Sequence, residues 1–300
     1  MRAQPGTYYA ASGTAPVAGL GVMAAAILVV PTAAGVGYGI LTYLNPFIYL
    51  NVLGTIGLGW LVGKAVAKAG QIGKVRCAGA AVIFGSLAGL VACYAGWVGY
   101  LLALSEFEAL VLNPLALLRI LGKLSEKGIW SIHKMTPTGI VLWSFWLAEL
   151  GILVYFAAIQ CREALARVPF CEECERWTAE EQDAACLEVC EMDMLRQALE
   201  ARHWEVLTQL DRSDPASPNC LRLNLHVCPE CANSNFLTVR HVVVTVDSEG
   251  KKNTSAEDVA ARICIPAETV AAVRAIMKVP LKEPAAAAEA APGGEAAKQG

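Results

Sequence analysis

Residues 17–63 read VAGLGVMAAAILVVPTAAGVGYGILTYLNPFIYLNVLGTIGLGWLVG, and they contain no charged side chain and no histidine. The uncharged stretch begins at Ala3, so it covers 61 positions (63 − 2 = 61). Two helices of about 20 residues, each long enough to cross the core of a bilayer, fit into that length with a turn between them. Asn45-Pro46 marks the turn, because proline restricts the residue before it and can begin a helix. We therefore predict membrane-spanning helices near 17–44 and 46–63.

Two further apolar stretches, 77–104 and 138–160, predict a third and a fourth span. The connection between the second and third spans is basic, so the positive-inside rule predicts that it is cytoplasmic. Its basic residues are Lys64, Lys68, Lys74 and Arg76. With four spans, the amino and carboxyl termini are then both cytoplasmic, and the expected location is the cell membrane.

The connection between the third and fourth spans carries a predicted amphipathic helix over about 114–127. Asn113-Pro114 can begin this helix, since proline is favoured in the first turn. Leucines recur on one side of it, at Leu115, Leu118, Leu121 and Leu124. Two interpretations are open: the helix lies on the membrane surface, or it packs against the helix bundle.

Glycines are frequent in the first two predicted spans. Gly35-x-x-x-Gly39 and Gly59-x-x-x-Gly63 match the pattern of small residues that lets helices approach closely in lipid. This pattern favours packing between helices of one chain, and it is also compatible with an oligomer formed through the glycine-rich helices.

Glu149 is the one acidic residue of the fourth predicted span, within the sequence WSFWLAEL at 143–150. A charged group at the centre of a bilayer costs roughly 2.5–3.5 kcal/mol on insertion scales, so it usually faces a partner or water. One interpretation is a protonated Glu149 that donates a hydrogen bond to Asn51 or Ser86 on a neighbouring helix. The alternative is a small transporter or channel centred on Glu149, which generally needs further polar groups in register.

The carboxyl-terminal half differs from the apolar half in charge and in cysteine content. Residues 1–160 carry nine Lys or Arg against four Asp or Glu (+5), and residues 161–300 carry fifteen against twenty-three (−8), which sum to −3. An acidic aqueous half disfavours nucleic acid as a partner, because phosphate binding needs clustered basic residues. Nine of the eleven cysteines lie from Cys161 onward. That odd number, with metal-type spacing, favours reduced thiols in a cytosolic segment over a disulfide framework.

Two Cys-x-x-Cys motifs in this half predict a structural metal site. They are Cys171-Glu-Glu-Cys174 and Cys228-Pro-Glu-Cys231. Two residues between paired cysteines allow one tight loop to present both sulfurs to an ion, and structural zinc takes four such ligands. Strand-like patterns at 221–227 and 236–246 flank the second motif. We therefore predict one zinc ion bound by the four cysteines.

With these motifs the cytosolic half resembles the zinc-ribbon domains, in which two such loops at the ends of β-hairpins share one ion. The resemblance rests on Cys171, Cys174, Cys228 and Cys231, with Pro229 inside the second loop. It implies a fold and a structural zinc, and it implies no activity. The 53 residues between the motifs (227 − 174 = 53) exceed the usual ribbon length, so the fold requires a helical insert.

The insert is predicted to be helical from Thr178 to about Leu210 with a break near Arg202-His203, because Thr178 and Glu181 form a capping-box pattern. Cys186 and Cys190 then lie four residues apart on one helix face. They are predicted to be either secondary metal ligands or small buried core residues. His203 or His226 would complete such a secondary site.

Together these features predict an α-helical polytopic membrane protein with four transmembrane helices and a C-terminal α+β cytosolic domain. The expected organisation is a disordered segment at 1–16, a transmembrane domain at 17–160, a cysteine-rich cytosolic domain at 161–280 and a disordered tail at 281–300. No nucleotide-binding loop or catalytic motif is visible, so we expect a non-enzymatic protein in the lipid bilayer that displays a zinc-stabilised regulatory module to a cytosolic protein partner. A membrane-tethered thiol oxidoreductase is a further open interpretation.

Overall fold

The computed structural model describes residues 7–45, 47–129, 136–231, 233–248 and 250–276 of the chain. The predicted disordered tail at 281–300 lies outside these residues, as do the first six residues of the predicted N-terminal segment. Within the described part, the chain divides into two compact units. One comprises residues 10–176, and the other comprises residues 7–9 together with 177–276.

Four helices in the described part of the first unit are long and apolar enough to cross a membrane. They are α1 (Val17–Leu44), α2 (Ile48–Ile72), α3 (Ala78–Leu104) and α5 (Gly139–Arg167). Large apolar side chains lie on their outer surface; Leu28 on α1 is 71% exposed and Ile140 on α5 is 82% exposed. The four predicted apolar helices are therefore confirmed.

The second helix ends later than residue 63, where the apolar pattern stops. It continues to Ile72, so Lys64 and Lys68 lie on the helix and not in a connecting loop. The reason is that a helix ends where its backbone hydrogen bonds end, whereas hydropathy reports only its apolar part. The Lys64 ammonium lies 3.8 Å from the centre of the Trp60 ring, which is a cation–π contact across one helical turn.

Glycines allow the long helices to approach one another closely. α1 packs mainly against α3, and α5 packs against α2 and α3. A Cβ atom built on Gly39 of α1 would overlap the carbonyl oxygen of Gly96 on α3. One built on Gly63 of α2 would lie 2.5 Å from the carbonyl oxygen of Ala157 on α5. Glycines of both sequence patterns are thus used for packing within the chain.

The helix α4 (Pro114–Lys127) forms where the sequence predicts it. The Asn113 side chain accepts hydrogen bonds from two backbone N–H groups of the first turn, at 2.9 and 3.2 Å, and so caps the helix. The helix packs against α5 and buries Leu117 and Leu121. Two of the four leucines on the predicted apolar side, Leu115 and Leu118, are 66% and 52% exposed. One face of α4 therefore packs against the bundle.

The second unit contains a four-stranded antiparallel sheet in the order β3-β4-β5-β6. The strands are β3 (Ala179–Leu187), β4 (Asn219–Val227), β5 (Asn235–Val246) and β6 (Lys252–Ile265). The helices are α6 (Met192–Glu200), α7 (Val206–Gln209) and α8 (Ala267–Ile276). The buried core of this unit includes Leu187, Leu199, Leu207, Leu223 and Val273. A C-terminal domain that contains a sheet is thus confirmed.

The strand β3 corrects the predicted helical insert. Ala179–Leu187 reads AEEQDAACL, in which Ala, Glu and Gln favour a helix, yet it pairs antiparallel with β4. Asp183, with φ 50°, lies in an irregularity that interrupts the pairing. The strand forms because pairing with β4 fully buries Ala185, Cys186 and Leu187, a tertiary gain that local propensity does not report. Helical structure between the two motifs is limited to α6 and α7.

The N-terminal segment runs beside the outer strand β6 over three residues. The Thr7 carbonyl oxygen accepts a hydrogen bond from the Cys264 N–H, and the Tyr9 N–H donates to the Arg262 carbonyl oxygen, both at 2.9 Å. The Tyr9 ring packs edge-on against Phe236, with 5.1 Å between the ring centres. No sequence pattern predicts this pairing, because three residues are too few to show a period.

Candidate metal centre

The first Cys-x-x-Cys motif closes a small hairpin that follows α5. Strands β1 (Phe170–Cys171) and β2 (Arg176–Trp177) form a two-stranded sheet, and the loop between them carries Cys174. The Cys174 N–H donates a hydrogen bond to the Cys171 sulfur, 3.5 Å away. Glu175 adopts φ 49°, a left-handed conformation that helps the loop to reverse direction. The turn therefore brings the two cysteines of the motif together.

The second motif lies in the loop between β4 and β5. Cys228 follows β4 directly, and its N–H donates a hydrogen bond to the Ser234 carbonyl oxygen at 3.2 Å. Val227 and Asn235 form the last pair of the hairpin at the base of the loop. The sheet thus fixes the position of the loop that presents Cys228 and Cys231.

The structure brings together the four cysteines that the sequence predicts as ligands. The sulfur atoms of Cys171, Cys174, Cys228 and Cys231 all lie within 4.8 Å of one another. Cys171 and Cys228 are buried, the other two are partly exposed, and none forms a disulfide bond. The cluster can therefore hold a metal ion.

The separation of the sulfurs suits a tetrahedral ion. Four sulfurs at the usual Zn–S distance of about 2.3 Å lie about 3.8 Å apart at the corners of a tetrahedron. Sulfurs up to 4.8 Å apart therefore need to move inward by at most about 1 Å to bind one ion. A disulfide would require an S–S distance of about 2.05 Å. The four sulfurs and their spacing are compatible with a single tetrahedral ion.

Basic side chains lie beside the acidic residues of the first motif. Arg76 Nε lies 3.4 Å from Glu172 Oε1, and Lys74 Nζ lies 3.1 Å from Glu175 Oε2. The Arg76 guanidinium also lies 4.1 Å from the centre of the Phe170 ring, and its side chain is only 9% exposed. These ion pairs connect the acidic residues around the first motif to the α2–α3 connection.

The position of Cys171 differs from that of a redox-active cysteine. Reactive Cys-x-x-Cys motifs usually place a cysteine at a helix N-terminus, where the helix dipole stabilises the thiolate. Cys171 instead ends the strand β1 and is fully buried. The geometry therefore favours metal binding over thiol–disulfide exchange.

Cys186 and Cys190 do not share a helix face, contrary to the prediction. Cys186 lies fully buried on β3, and Cys190 lies in the loop before α6, where it packs against the core of the second unit. Burial raises the pKa of the Cys186 thiol to about 11, which favours the neutral thiol over a metal-binding thiolate. The surroundings of both residues are those of core cysteines, and their role as secondary ligands stays a prediction.

Glu149 lies on α5 and is bound by hydroxyl groups from two other helices. Tyr38 Oη on α1 and Thr55 Oγ1 on α2 donate hydrogen bonds to Glu149 Oε1, at 2.7 and 3.1 Å. Of the expected partners Asn51 and Ser86, Asn51 enters this network through its carbonyl oxygen, 3.1 Å from Tyr38 Oη. Sequence reasoning missed Thr55, although its spacing of four residues from Asn51 places both on one face of α2.

Comparison with protein-family models, with curated proteins and with solved structures finds no match to this chain. Two structural features are therefore available for an inference of function. They are four helices able by length and composition to cross a membrane, and a cluster of four cysteines able to hold a metal ion.

Proposed function

We propose that the chain is a multi-pass membrane protein that displays a zinc-stabilised cytosolic module to a protein partner. The cluster of four cysteine sulfurs carries the proposal. Thiolates are soft ligands, and a tetrahedral set of four is typical of zinc or of iron–sulfur centres. Zinc suits a cluster whose sulfurs close around a single ion. With four protein ligands the ion has no open coordination position, so its role is to hold the two loops together.

The direction of the helices supports a cytoplasmic position for the first motif. Gly59 and Gly70 of α2 lie against Leu153 and Leu165 of α5, so the two helices run parallel and their carboxyl ends lie at the same end of the bundle. That end of α2 carries exposed lysines, and the positive-inside rule favours it as cytoplasmic. With 29 residues α5 is about 43 Å long, and a bilayer core is about 30 Å thick. Its last turns therefore project into water before the first motif begins.

The outer strand β6 supports the partner-binding part of the proposal. Its first seven residues, 252–258, are all exposed, and the strand lies at the edge of the sheet. An exposed edge presents backbone N–H and C=O groups with which an extended segment of another protein can pair. Val246 on the adjacent strand is 60% exposed and offers an apolar contact beside that edge.

Metal content of the full-length protein tests the proposal. The protein is purified in detergent without added metal, and its metals are quantified by inductively coupled plasma mass spectrometry. We expect one zinc per chain for the parent, and a loss of about 90% of it for Cys228→Ser, since removing one of four thiolates opens the site. Cys264→Ser is the matched control, because Cys264 is an exposed cysteine on β6 outside the cluster. It should retain the parent's zinc.

Two results would contradict the zinc site: a parent protein that contains no zinc, or a Cys228→Ser protein that retains it. The partner-binding part has its own test, which is photo-crosslinking in cells from residue 254 of β6. We expect a discrete crosslinked species that is absent when the crosslinker stands at residue 208 on α7. Equal crosslinking from both positions would contradict a role for the β6 edge.

A further inference from the structure

The first unit contains a cavity of about 660 Å³ among α1, α2, α3 and α5. That volume lies within the range of sites for small organic molecules, about 300–1,000 Å³. The lining combines polar groups with aromatic rings. Tyr38, Thr55 and Glu149 contribute to the polar part, and Trp97, Tyr100 and Trp146 to the aromatic part.

Hydroxyl groups hold one oxygen of the Glu149 carboxylate and leave the other oxygen available. Oε1 accepts the hydrogen bonds from Tyr38 and Thr55 at 2.7 and 3.1 Å. Tyr38 Oη is itself positioned 2.7 Å from Thr55 Oγ1. Within the described residues, Oε2 has no hydrogen-bonding partner. A carboxylate held in this way can bind a ligand without first losing side-chain freedom, which favours affinity.

Among the described residues, no basic side chain lines the cavity to balance this carboxylate. None of the described residues that line it is lysine, arginine or histidine. A carboxylate in largely apolar surroundings without a counter-charge is costly, and the cost falls when a cation enters or when the group is protonated. A positively charged ligand would therefore supply what the lining does not.

Aromatic rings border the same space as the carboxylate. Trp97 and Trp146 meet edge to face with 4.9 Å between ring centres, and Tyr100 lies 5.7 Å from Trp97. Trp146 and Glu149 are three residues apart on α5 and so lie on one face of the helix. The faces of aromatic rings attract cations, and such rings recognise quaternary ammonium groups in known binding sites.

We propose that this cavity binds a hydrophobic organic cation, an amine or quaternary ammonium compound with an apolar body. Glu149 supplies the counter-charge, and Tyr38 and Thr55 position its carboxylate. Trp97 and Trp146 contact the cationic head and its apolar substituents. An inorganic cation such as Ca²⁺ fits the lining less well, because it needs six to eight oxygen ligands and gains little from aromatic walls.

The depth of the site suits a ligand that is partly apolar. Glu149 lies ten residues from Gly139 at the start of α5 (149 − 139 = 10), which is about 15 Å, or half the thickness of a bilayer core. Asn45, at the end of α1, also lines the cavity. The space therefore extends from Asn45 at the end of α1 inward to the level of Glu149.

Isothermal titration calorimetry of the full-length protein in detergent micelles tests the proposal. The probe is benzyltrimethylammonium, and the matched probe of opposite charge is benzenesulfonate. We expect saturable binding of one benzyltrimethylammonium per chain and no saturable binding of benzenesulfonate. Glu149→Gln preserves the shape of the side chain and should weaken binding of the cation at least about tenfold, because it removes the charged partner.

Two further variants separate a binding role from a structural one. Glu126→Gln removes an exposed carboxylate on α4, outside the cavity, and should leave the affinity unchanged. Trp97→Leu keeps an apolar wall but removes the ring, and it should weaken binding of the cation several-fold. Each variant is first shown to elute as a single species with the parent's helix content by circular dichroism.

The proposal is overturned if the folded parent shows no saturable binding of benzyltrimethylammonium. It is also overturned if Glu149→Gln binds the probe as tightly as the parent, or if benzenesulfonate binds equally well. Binding of sodium or calcium in place of the organic probe would overturn it as well, and would identify an inorganic cation site. None of these outcomes affects the zinc site, whose test is the metal content of the protein.

Discussion

Replacing Gly39 by alanine tests whether α1 and α3 are held together by backbone contact. A Cβ atom at this position would overlap the Gly96 carbonyl oxygen and lie 2.7 Å from the Tyr100 backbone nitrogen. Ordinary contacts between such heavy atoms are about 3.5–4.0 Å. The helices would therefore have to separate by about 1 Å, since backbone atoms, unlike a flexible side chain, cannot rotate away. The Gly39→Ala protein should be less stable than the parent.

The expected magnitude follows from two opposing effects. Overpacking costs about 1–3 kcal/mol and occasionally more, and contact with backbone places Gly39→Ala at the upper end, about 3 kcal/mol. Alanine favours a helix over glycine by about 1 kcal/mol, so the net loss is about 2 kcal/mol. Gly37 lies on the same helix two residues away, and a Cβ atom there would meet nothing within 4 Å. Gly37→Ala should therefore be as stable as the parent or more stable, by up to about 1 kcal/mol.

The assay is unfolding of the purified protein in mixed micelles by titration with sodium dodecyl sulfate, followed by far-ultraviolet circular dichroism. The informative quantity is the difference in free energy of unfolding between the two alanine variants, which we expect to be about 2–3 kcal/mol. Equal stability of the two variants would refute the close contact of α1 with α3 at Gly39.

Three further predictions concern the metal site and the second unit. Removal of zinc from the parent with a strong chelator should lower its unfolding temperature, and added zinc should restore it. The reason is that a metal bound only to the folded form stabilises that form. An unchanged unfolding temperature would contradict a structural role of the zinc. Leu199→Ala, which truncates a fully buried side chain of α6, should reduce the free energy of unfolding by about 2–5 kcal/mol. Met194→Ala on the same helix is its control, since that side chain is 65% exposed and its loss should cost less than about 0.5 kcal/mol in the same denaturation. The hydrogen bonds from Arg274 lower the pKa of Glu181 below its ordinary 4.5. The pair therefore stabilises the fold above pH 4.5, and this stabilisation is lost as the pH falls through the lowered pKa of Glu181 in the folded protein. Because both side chains are well exposed, Glu181→Gln should reduce the free energy of unfolding by less than about 1 kcal/mol at pH 7 and by nothing at low pH. A difference in the free energy of unfolding between parent and variant that grows on acidification would contradict this pH dependence.

The long helices and the cysteine cluster could be predicted from sequence because each depends on a local pattern. The 61 uncharged positions predict long helices, since an apolar stretch placed in lipid would have to satisfy its backbone groups internally. Two Cys-x-x-Cys motifs form a four-cysteine cluster if the two tight loops that carry them meet. Asn113 likewise marks the start of α4 within one turn of the chain. Each apolar stretch, each Cys-x-x-Cys motif and the cap at Asn113 is recognised within one continuous segment of the chain.

The strand β3 and the partners of Glu149 depend on contacts between distant parts of the chain. Ala179–Leu187 is composed of helix-favouring residues, and only its pairing with β4, some forty positions away (223 − 185 = 38 for Ala185 and Leu223), makes it a strand. Tyr38 meets Glu149 across 111 positions. A single sequence does not specify which helices pack against each other. From the sequence, Tyr38 can therefore be identified only as an aromatic residue near the end of a helix, and its contact with Glu149 cannot be predicted. Such pairings become visible only when the helices are packed.

Arg76 changes the way in which the basic residues of the α2–α3 connection support the topology. The positive-inside rule counts lysines and arginines close to the ends of membrane-spanning helices. The Arg76 side chain is only 9% exposed, pairs with Glu172 and covers Phe170, and its backbone N–H donates to the Thr14 carbonyl oxygen. Its charge is therefore used to fix the base of the first cysteine motif. The proposed cytoplasmic position of this end then depends mainly on the exposed lysines in the last part of α2, Lys64 and Lys68. A topology reporter should consequently respond to substitution of those two lysines and remain unchanged in an Arg76 variant, in which the zinc content is expected to fall instead.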